Sequence, residues 1–525
     1  MTRITLPVDW RLWVLRSALA IAVALLAADL FRLVDLGLFS ITYKYDLDYG
    51  EGIVWQQMIN IAAGRGYAPL GVFPAIVYHY PPVYHLVVSA VARVCGSDQL
   101  ATGRTVSLVS ALVSIGLVAR LTFAALPLDR PRRVRLLAAT VSAGCLASSP
   151  TVIFWAGVMR VDMLADALSL AGLALTLGSA KRPMRIALAA LCFVLAIYTK
   201  QTSVAAPAAA AITLWLVRPR AAWTLSAWCV GLGLCALLCL HLTSHGGFLR
   251  HTLLYNLNRF DLSRVRILPF VILAQISVVA IALMGVAATW QRLRPAGLTA
   301  LRARLATDQA DLAAFLPLAF LVAETAMLPS VLKSGASDNY LIGWLYAVAV
   351  FVGIGAVPVI DAALADGRWP RALLTAMVAI GLPIQGYRVL VADSGETSLT
   401  ALTMTYDKIA ARIASSPRPV ISDAMVLLIR GGQPVRWEPA IAAELGHAGI
   451  YDEAAFAKLV RTGQFGFFVT TGDRGERLYD ERYNPVVADA IDAAYPRRER
   501  HGDLVLHLPP SQTASKSIVG AVPIG

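Results

Sequence analysis

Charge is scarce in this chain of 525 residues: Asp, Glu, Lys and Arg together make up 15% of it, against 57% hydrophobic residues. With a mean hydropathy of +0.63 it is too apolar for an ordinary soluble protein. Its apolar runs also reach the about 20 residues that a helix needs to cross a bilayer. Cysteine is sparse too. The six present (Cys95, Cys145, Cys192, Cys229, Cys235 and Cys239) all lie in apolar segments without a CxxC pair, so neither a disulfide framework nor a thiolate metal site follows. Walker A, GxGxxG and HExxH patterns are missing. Their absence argues against nucleotide hydrolysis, dinucleotide redox chemistry, zinc proteolysis and a nucleotide-sugar donor held on a Rossmann domain. What is left is an α-helical polytopic membrane protein, because a helix satisfies its own backbone hydrogen bonds in lipid.

The net charge of +13 comes from short basic clusters between apolar runs, at Arg130–Arg135, Lys181–Arg185, Arg218–Arg220, Arg292–Arg304 and Arg368–Arg371. That pattern marks a cytoplasmic membrane face rather than a nucleic-acid patch. If each cluster and the N-terminus are cytoplasmic, an even number of spans separates neighbours. The segments near 12–38, 105–127, 136–156, 162–180, 186–200, 203–217, 222–244, 267–290, 313–330, 341–364 and 372–391 then give eleven spans. The apolar piece 83–95 is short and reads as a re-entrant or interfacial helix. Residues 1–392 form the membrane domain, with a long first outer loop at 39–104. The outer segment 245–266 mixes basic, aromatic and amide residues. Residues 393–525 read as a soluble α/β domain, with strands near PVIS, FGFFVTT and LVLHL and helices near 439–447, 452–463 and 484–494. Asp452 fits as a helix N-cap.

The first outer loop concentrates acid: YKYDLDYGEG, residues 43 to 52, holds Asp46, Asp48 and Glu51. A helix-like stretch, IVWQQMINIAA, a Gly-Arg-Gly turn and Tyr80-Pro81-Pro82 follow. This order resembles the first periplasmic loop of the GT-C superfamily of integral-membrane glycosyltransferases, in the bacterial branch related to protein O-mannosyltransferases and the lipid A aminoarabinose transferase. The likeness continues through WAGVMRVDMLADALSL, IYTKQTSV and KSGASDNYLIGW, and covers most of residues 10–390 plus the outer domain. Two departures stand out. Many relatives carry an adjacent Asp-Glu pair, whereas Tyr49-Gly50 separates Asp48 from Glu51 here, and Tyr80 stands where the aminoarabinose branch has Lys.

The resemblance implies transfer of a sugar from a polyprenyl-phosphate donor to an acceptor hydroxyl on a lipid, a glycan or a protein. It also implies a bacterial inner-membrane location, with the N-terminus cytoplasmic and the C-terminal domain periplasmic. A carboxylate then acts as general base, and cations meet the charge on the departing phosphate. Asp48 is the expected base, with Glu51 and Asp46 as alternatives. If Asp48 and Glu51 share a helix face, their proximity either raises one pKa or binds a divalent cation. Arg160 and Lys200 are the expected phosphate contacts. Asp162 serves as an ion-pair partner or a substrate contact, and Tyr80, His79, Arg259, Asn339 and Tyr340 complete the expected binding set. The acids and the cations are expected to share a chamber open to lipid. Two other readings stay open: a polysaccharide polymerase or ligase with a polyprenyl-diphosphate donor, and a secondary transporter or lipid flippase.

Overall fold

A computed structural model describes residues 10–256, 259–294, 297–365 and 372–510, which leaves the Arg368–Arg371 cluster outside the described residues. The chain divides into two compact units. The first comprises Met1–Thr42, Tyr80–Gly246 and Asn258–Glu396; the second comprises Tyr43–His79, Gly247–Leu257 and Thr397–Gly525.

The first unit is a bundle of apolar helices, and the chain is a multi-pass membrane protein. The arginine pattern predicts eleven spans. Among the described residues seven helices are long and apolar enough to cross a membrane, or eight if the pair Arg132–Ala147 and Pro150–Ala156, bent by 68°, forms one span. Three shorter apolar helices, Val83–Cys95, Met184–Ile197 and Ala205–Val217, accompany them. The segments expected near 162–180, 186–200 and 203–217 form helices of 16, 14 and 13 residues, namely Asp162–Leu177, Met184–Ile197 and Ala205–Val217. They are short because the backbone turns irregular at 157–161 and at 198–204, the two segments that carry Arg160 and Lys200. The piece 83–95 is a 13-residue helix closed by Gly96 in the left-handed conformation (φ +62°).

Close helix crossings in this unit use small residues, as expected where lipid offers no hydrophobic drive between helices. A methyl group on Gly285 would lie 2.0 Å from the Phe351 carbonyl, and one on Gly355 would lie 2.2 Å from the Ile281 carbonyl. Helices Ile276–Leu293 and Ile342–Ala365 thus meet backbone to backbone. Near their ends the buried Asp311 is paired with Arg292 and Arg304.

The second unit is built on a four-stranded sheet of β1 (Ile421–Ser422), β2 (Phe468–Thr471), β3 (Arg497–His501) and β4 (Leu504–Leu508), in the order β1-β2-β4-β3. β1 runs parallel to β2, and β4 runs antiparallel to both of its neighbours. β4 is buried throughout. The sequence RRERH forms the edge strand β3, where charge on an exposed edge discourages pairing with other chains. Gly502, at φ +62°, makes the tight turn between β3 and β4. Helices occur at Pro439–His447, Glu453–Arg461 and Pro485–Ala494, and Asp452 caps the second by accepting from the Ala455 N–H.

Residues 43–79 of the first outer loop belong to this unit and contribute to its core. Ala75 and Val77 are buried with Trp437, Phe456, Phe465 and Phe468, and Val72 and Phe73 pack on them. The Ala75 N–H donates to the Arg436 carbonyl at 2.7 Å, and the Tyr451 hydroxyl donates to the Val72 carbonyl at 2.7 Å. Asp423 is fully buried and is paired with Arg482 at 2.7 Å, while it accepts from the Thr471 N–H and hydroxyl.

Two predictions follow from this unit. Replacing Arg482 by Met strands a buried carboxylate, so the full-length protein should lose about 3–5 kcal/mol in denaturant unfolding followed by fluorescence, whereas replacing Arg482 and Asp423 together by apolar residues should cost far less. Burial, with Arg498 nearby, pushes the His507 imidazole down to about 4. A histidine with a depressed folded pKa stabilises above its unfolded value and loses that contribution as pH falls toward 4. Stability should therefore drop by about 2–3 kcal/mol between pH 6.5 and 4. His507→Gln should flatten that slope.

Candidate active site

Three irregular segments of the first unit carry the expected cations and their partners. In the first, helix Pro150–Ala156 stops and the chain turns tightly, with the Arg160 N–H donating to the Val158 carbonyl at 2.9 Å. Asp162 then opens helix Asp162–Leu177, where a carboxylate in the first turn suits the helix dipole. In the second, helix Met184–Ile197 ends and Lys200 follows, its N–H bonded to the Ala196 carbonyl at 2.8 Å. In the third, a single turn at Asp338–Leu341 presents Asn339 and Tyr340 just before helix Ile342–Ala365.

These residues converge on Asp162, whose side chain is 1% exposed. One carboxylate oxygen accepts from the Lys200 ammonium at 2.7 Å and from the Asn339 amide at 2.9 Å. The other lies 4.0 Å from the Arg160 guanidinium. Arg160 also donates to the Tyr80 hydroxyl at 3.1 Å, and Lys200 sits 4.9 Å from the centre of the Tyr340 ring. Burial pushes the Tyr80 hydroxyl up to about 12, against the pull of Arg160, so it stays protonated. Asp162 is paired with both cations, which are mostly buried, so their attraction for an anion acts in a medium less polar than water and is stronger there.

Sequence reading overlooked three contributors in this unit. Asp338 accepts from the Trp155 indole N–H at 2.9 Å and from the Thr151 hydroxyl at 2.8 Å, and the Trp155 ring lies 5.5 Å from the Arg160 guanidinium. Asp166, one turn beyond Asp162, stands within electrostatic range of Lys200 and Glu324. An acid inside an apolar helix was the available signal for Asp166. Arg259 is exposed, and only its carbonyl, accepting from the Ser334 N–H at 2.8 Å, has a described partner. Its neighbour Asn258 lies outside the described residues.

The acidic motif lies in the second unit, as does the half-buried His79. Helix Gly50–Ala62 begins after Asp48, so Asp48 and Glu51 do not share a helix face as the conditional reading had it. Asp48 instead forms a turn: its carboxylate accepts from the Gly50 N–H at 2.8 Å and its carbonyl from the Glu51 N–H at 3.1 Å. Glu51 is fully buried and accepts from the Leu47 N–H at 2.8 Å. Asp46 accepts from the Val426 N–H, at the head of helix Met425–Arg430, at 3.1 Å. Tyr49 is stacked under Arg482, whose guanidinium lies 4.1 Å from the ring centre, and its hydroxyl accepts from the Ala440 N–H at 3.3 Å. Gly64, at φ +70°, closes the helix as the Gly-Arg-Gly turn requires. Among the described residues no group of three or more His, Cys, Asp or Glu is disposed to hold a metal ion. His85 is buried, bonded to the Pro81 carbonyl and held down at about 4 by its burial.

No family model matches the sequence, and no curated protein matches it either. Solved structures do resemble it. ArnT from Cupriavidus metallidurans bound to undecaprenyl phosphate overlays with a TM-score of 0.57 at 14% identity, over 94% of this chain and 99% of that one. The same protein in the apo state gives 0.56 at 14% identity, over 92% and 99%. AglB oligosaccharyltransferase from Archaeoglobus fulgidus overlays more loosely, at 0.49 and 12% identity over 84% and 67%. The chain shares the fold of ArnT over nearly the whole length of both proteins.

Proposed function

We propose that the protein is an inverting glycosyltransferase that moves a sugar from a polyprenyl-phosphate donor to an acceptor hydroxyl. The working location is the outer face of a bacterial inner membrane, with the N-terminus cytoplasmic. The observation that carries this reading is the convergence of Arg160, Lys200, Asn339, Tyr80 and Tyr340 around Asp162, on a GT-C fold. Two mostly buried cations side by side suit a phosphate ester whose tail stays in lipid. The undecaprenyl phosphate bound to ArnT supports the same donor class.

In this mechanism the acceptor oxygen attacks the anomeric carbon from the face opposite the phosphate. Asp48 takes the hydroxyl proton as the new C–O bond forms. The bond from the anomeric carbon to the phosphate oxygen breaks, and its electron pair leaves with polyprenyl phosphate. Arg160 and Lys200 meet that charge. Asp162 and Asn339 position the Lys200 ammonium, and Tyr80 and Trp155 position the Arg160 guanidinium. Asp46, Asp48 and Glu51 each hold a backbone N–H, and the half-buried Asp48 is more accessible than the fully buried Glu51, which favours Asp48 over Glu51 as the base. The C-terminal domain, which shares its core with the acidic loop, serves as the support of that loop.

Asp48→Asn should lower kcat by about 10²–10⁴-fold, the range of a lost general base, with donor KM and expression unchanged. Unchanged turnover would move the base to Glu51 or Asp46. Purified protein offered both donor types should turn over the polyprenyl monophosphate and leave the diphosphate. The opposite preference would make it a polymerase or ligase, and coupled uptake of unmodified sugar by vesicles would make it a transporter. A chain ending at residue 392 should be inactive because Ala75 and Val77 lose their core; full activity would contradict the supporting role.

A further inference from the structure

A second cationic group lies at the opposite end of the same helices. Leu177 ends the 16-residue helix that Asp162 begins, which places it about 22 Å from Asp162 along the axis. There, a cavity of about 500 Å³ is lined by Arg182, Arg185 and Arg218. Its apolar wall is formed by Leu177, Val217, Leu305 and Leu312, part of a small core that includes Leu293.

The three arginines lack acidic partners. Among the described residues no carboxylate lies within 4.0 Å of any of them. Their described hydrogen bonds go to neutral oxygens: Arg218 to the Ser179 hydroxyl at 3.2 Å, and Arg185 to the Gly178 carbonyl at 3.4 Å. The nearby acids are already committed. Asp311 is paired with Arg292 and Arg304, and Asp308 caps helix Gln309–Met327 by accepting from the Ala310 and Asp311 N–H groups. The absence of a side chain at Gly178 is what lets Arg185 lie there, since a methyl would fall 1.8 Å from its guanidinium nitrogen. Three guanidiniums around a half-apolar cavity form a site for an anion that also brings hydrocarbon. Arginine binds phosphate oxygens in forked pairs, and basic pockets between spanning helices take anionic headgroups.

We propose that this cavity binds an anionic diacyl phospholipid. Its phosphodiester lies among Arg182, Arg185 and Arg218, and an acyl chain runs along Leu177, Val217, Leu305 and Leu312. The arginine pattern marks this face as cytoplasmic. The lipid joins the ends of helices Asp162–Leu177, Met184–Ile197, Ala205–Val217 and Gln309–Met327, and the site is independent of the transfer chemistry.

The test is native mass spectrometry of the full-length protein taken from phosphatidylcholine bilayers with and without phosphatidylglycerol. Wild type should retain one phosphatidylglycerol more than the R182Q/R185Q/R218Q variant and no additional phosphatidylcholine. The R182K/R185K/R218K variant should keep that lipid. Ala306→Trp, which fills the cavity from an exposed position and leaves the arginines intact, should lose it even if the triple variant folds poorly. Equal retention by wild type, the Gln variant and Ala306→Trp would overturn the proposal. So would displacement of the retained lipid by glycerol 1-phosphate at equal concentration, because the site would then take a free phosphate ester.

Discussion

A buried carboxylate between two cations organises the membrane unit. Asp162 is almost wholly removed from solvent, and such a charge is tolerable only when paired and hydrogen-bonded. Lys200, Asn339 and Arg160 meet that demand from three separate segments. Satisfying it fixes where helix Asp162–Leu177 starts, where the chain leaves helix Met184–Ile197, and how the turn at Asp338–Leu341 sits. The same constraint that orders the helix ends also brings two mostly buried cations together.

The acidic loop is organised differently. Its order near Asp46–Glu51 comes from bonds within the second unit. Asp46 is held at the N-terminus of helix Met425–Arg430, Tyr49 under Arg482, and Ala75 against Trp437. The Arg482–Asp423 pair beneath Tyr49 thereby holds a residue that adjoins Asp48. A carboxylate placed by backbone bonds and a buried ion pair can keep its position without a rigid helix around it.

Much of this was legible in the chain. Apolar runs bounded by Arg and Lys located most of the helices, and the charged residues beside those runs, Arg160, Asp162 and Lys200, are those the fold gathers. The break at 157–161 was legible as the gap between the expected spans 136–156 and 162–180, whereas the break at 198–204 is wider than the sequence suggested because it serves the Asp162 cluster rather than any local pattern. Asp338 escaped notice because its partners Trp155 and Thr151 are 183 and 187 residues away. The folding of the first loop into the C-terminal core rests on bonds such as Val426 to Asp46, 380 residues apart, which no periodicity announces. β3 was missed because RRERH is an edge strand whose charge hides the usual alternation.

Binding of donor phosphate at the Asp162 cluster is the claim on which the functional account stands. Its most direct measurement is phosphorus NMR of undecaprenyl phosphate titrated into the detergent-solubilised protein. The account predicts a shifted, saturable resonance with wild type and with Asp48→Asn, and loss of that shift in Lys200→Met and Arg160→Met variants that remain folded. An unchanged shift in both cation variants would contradict it.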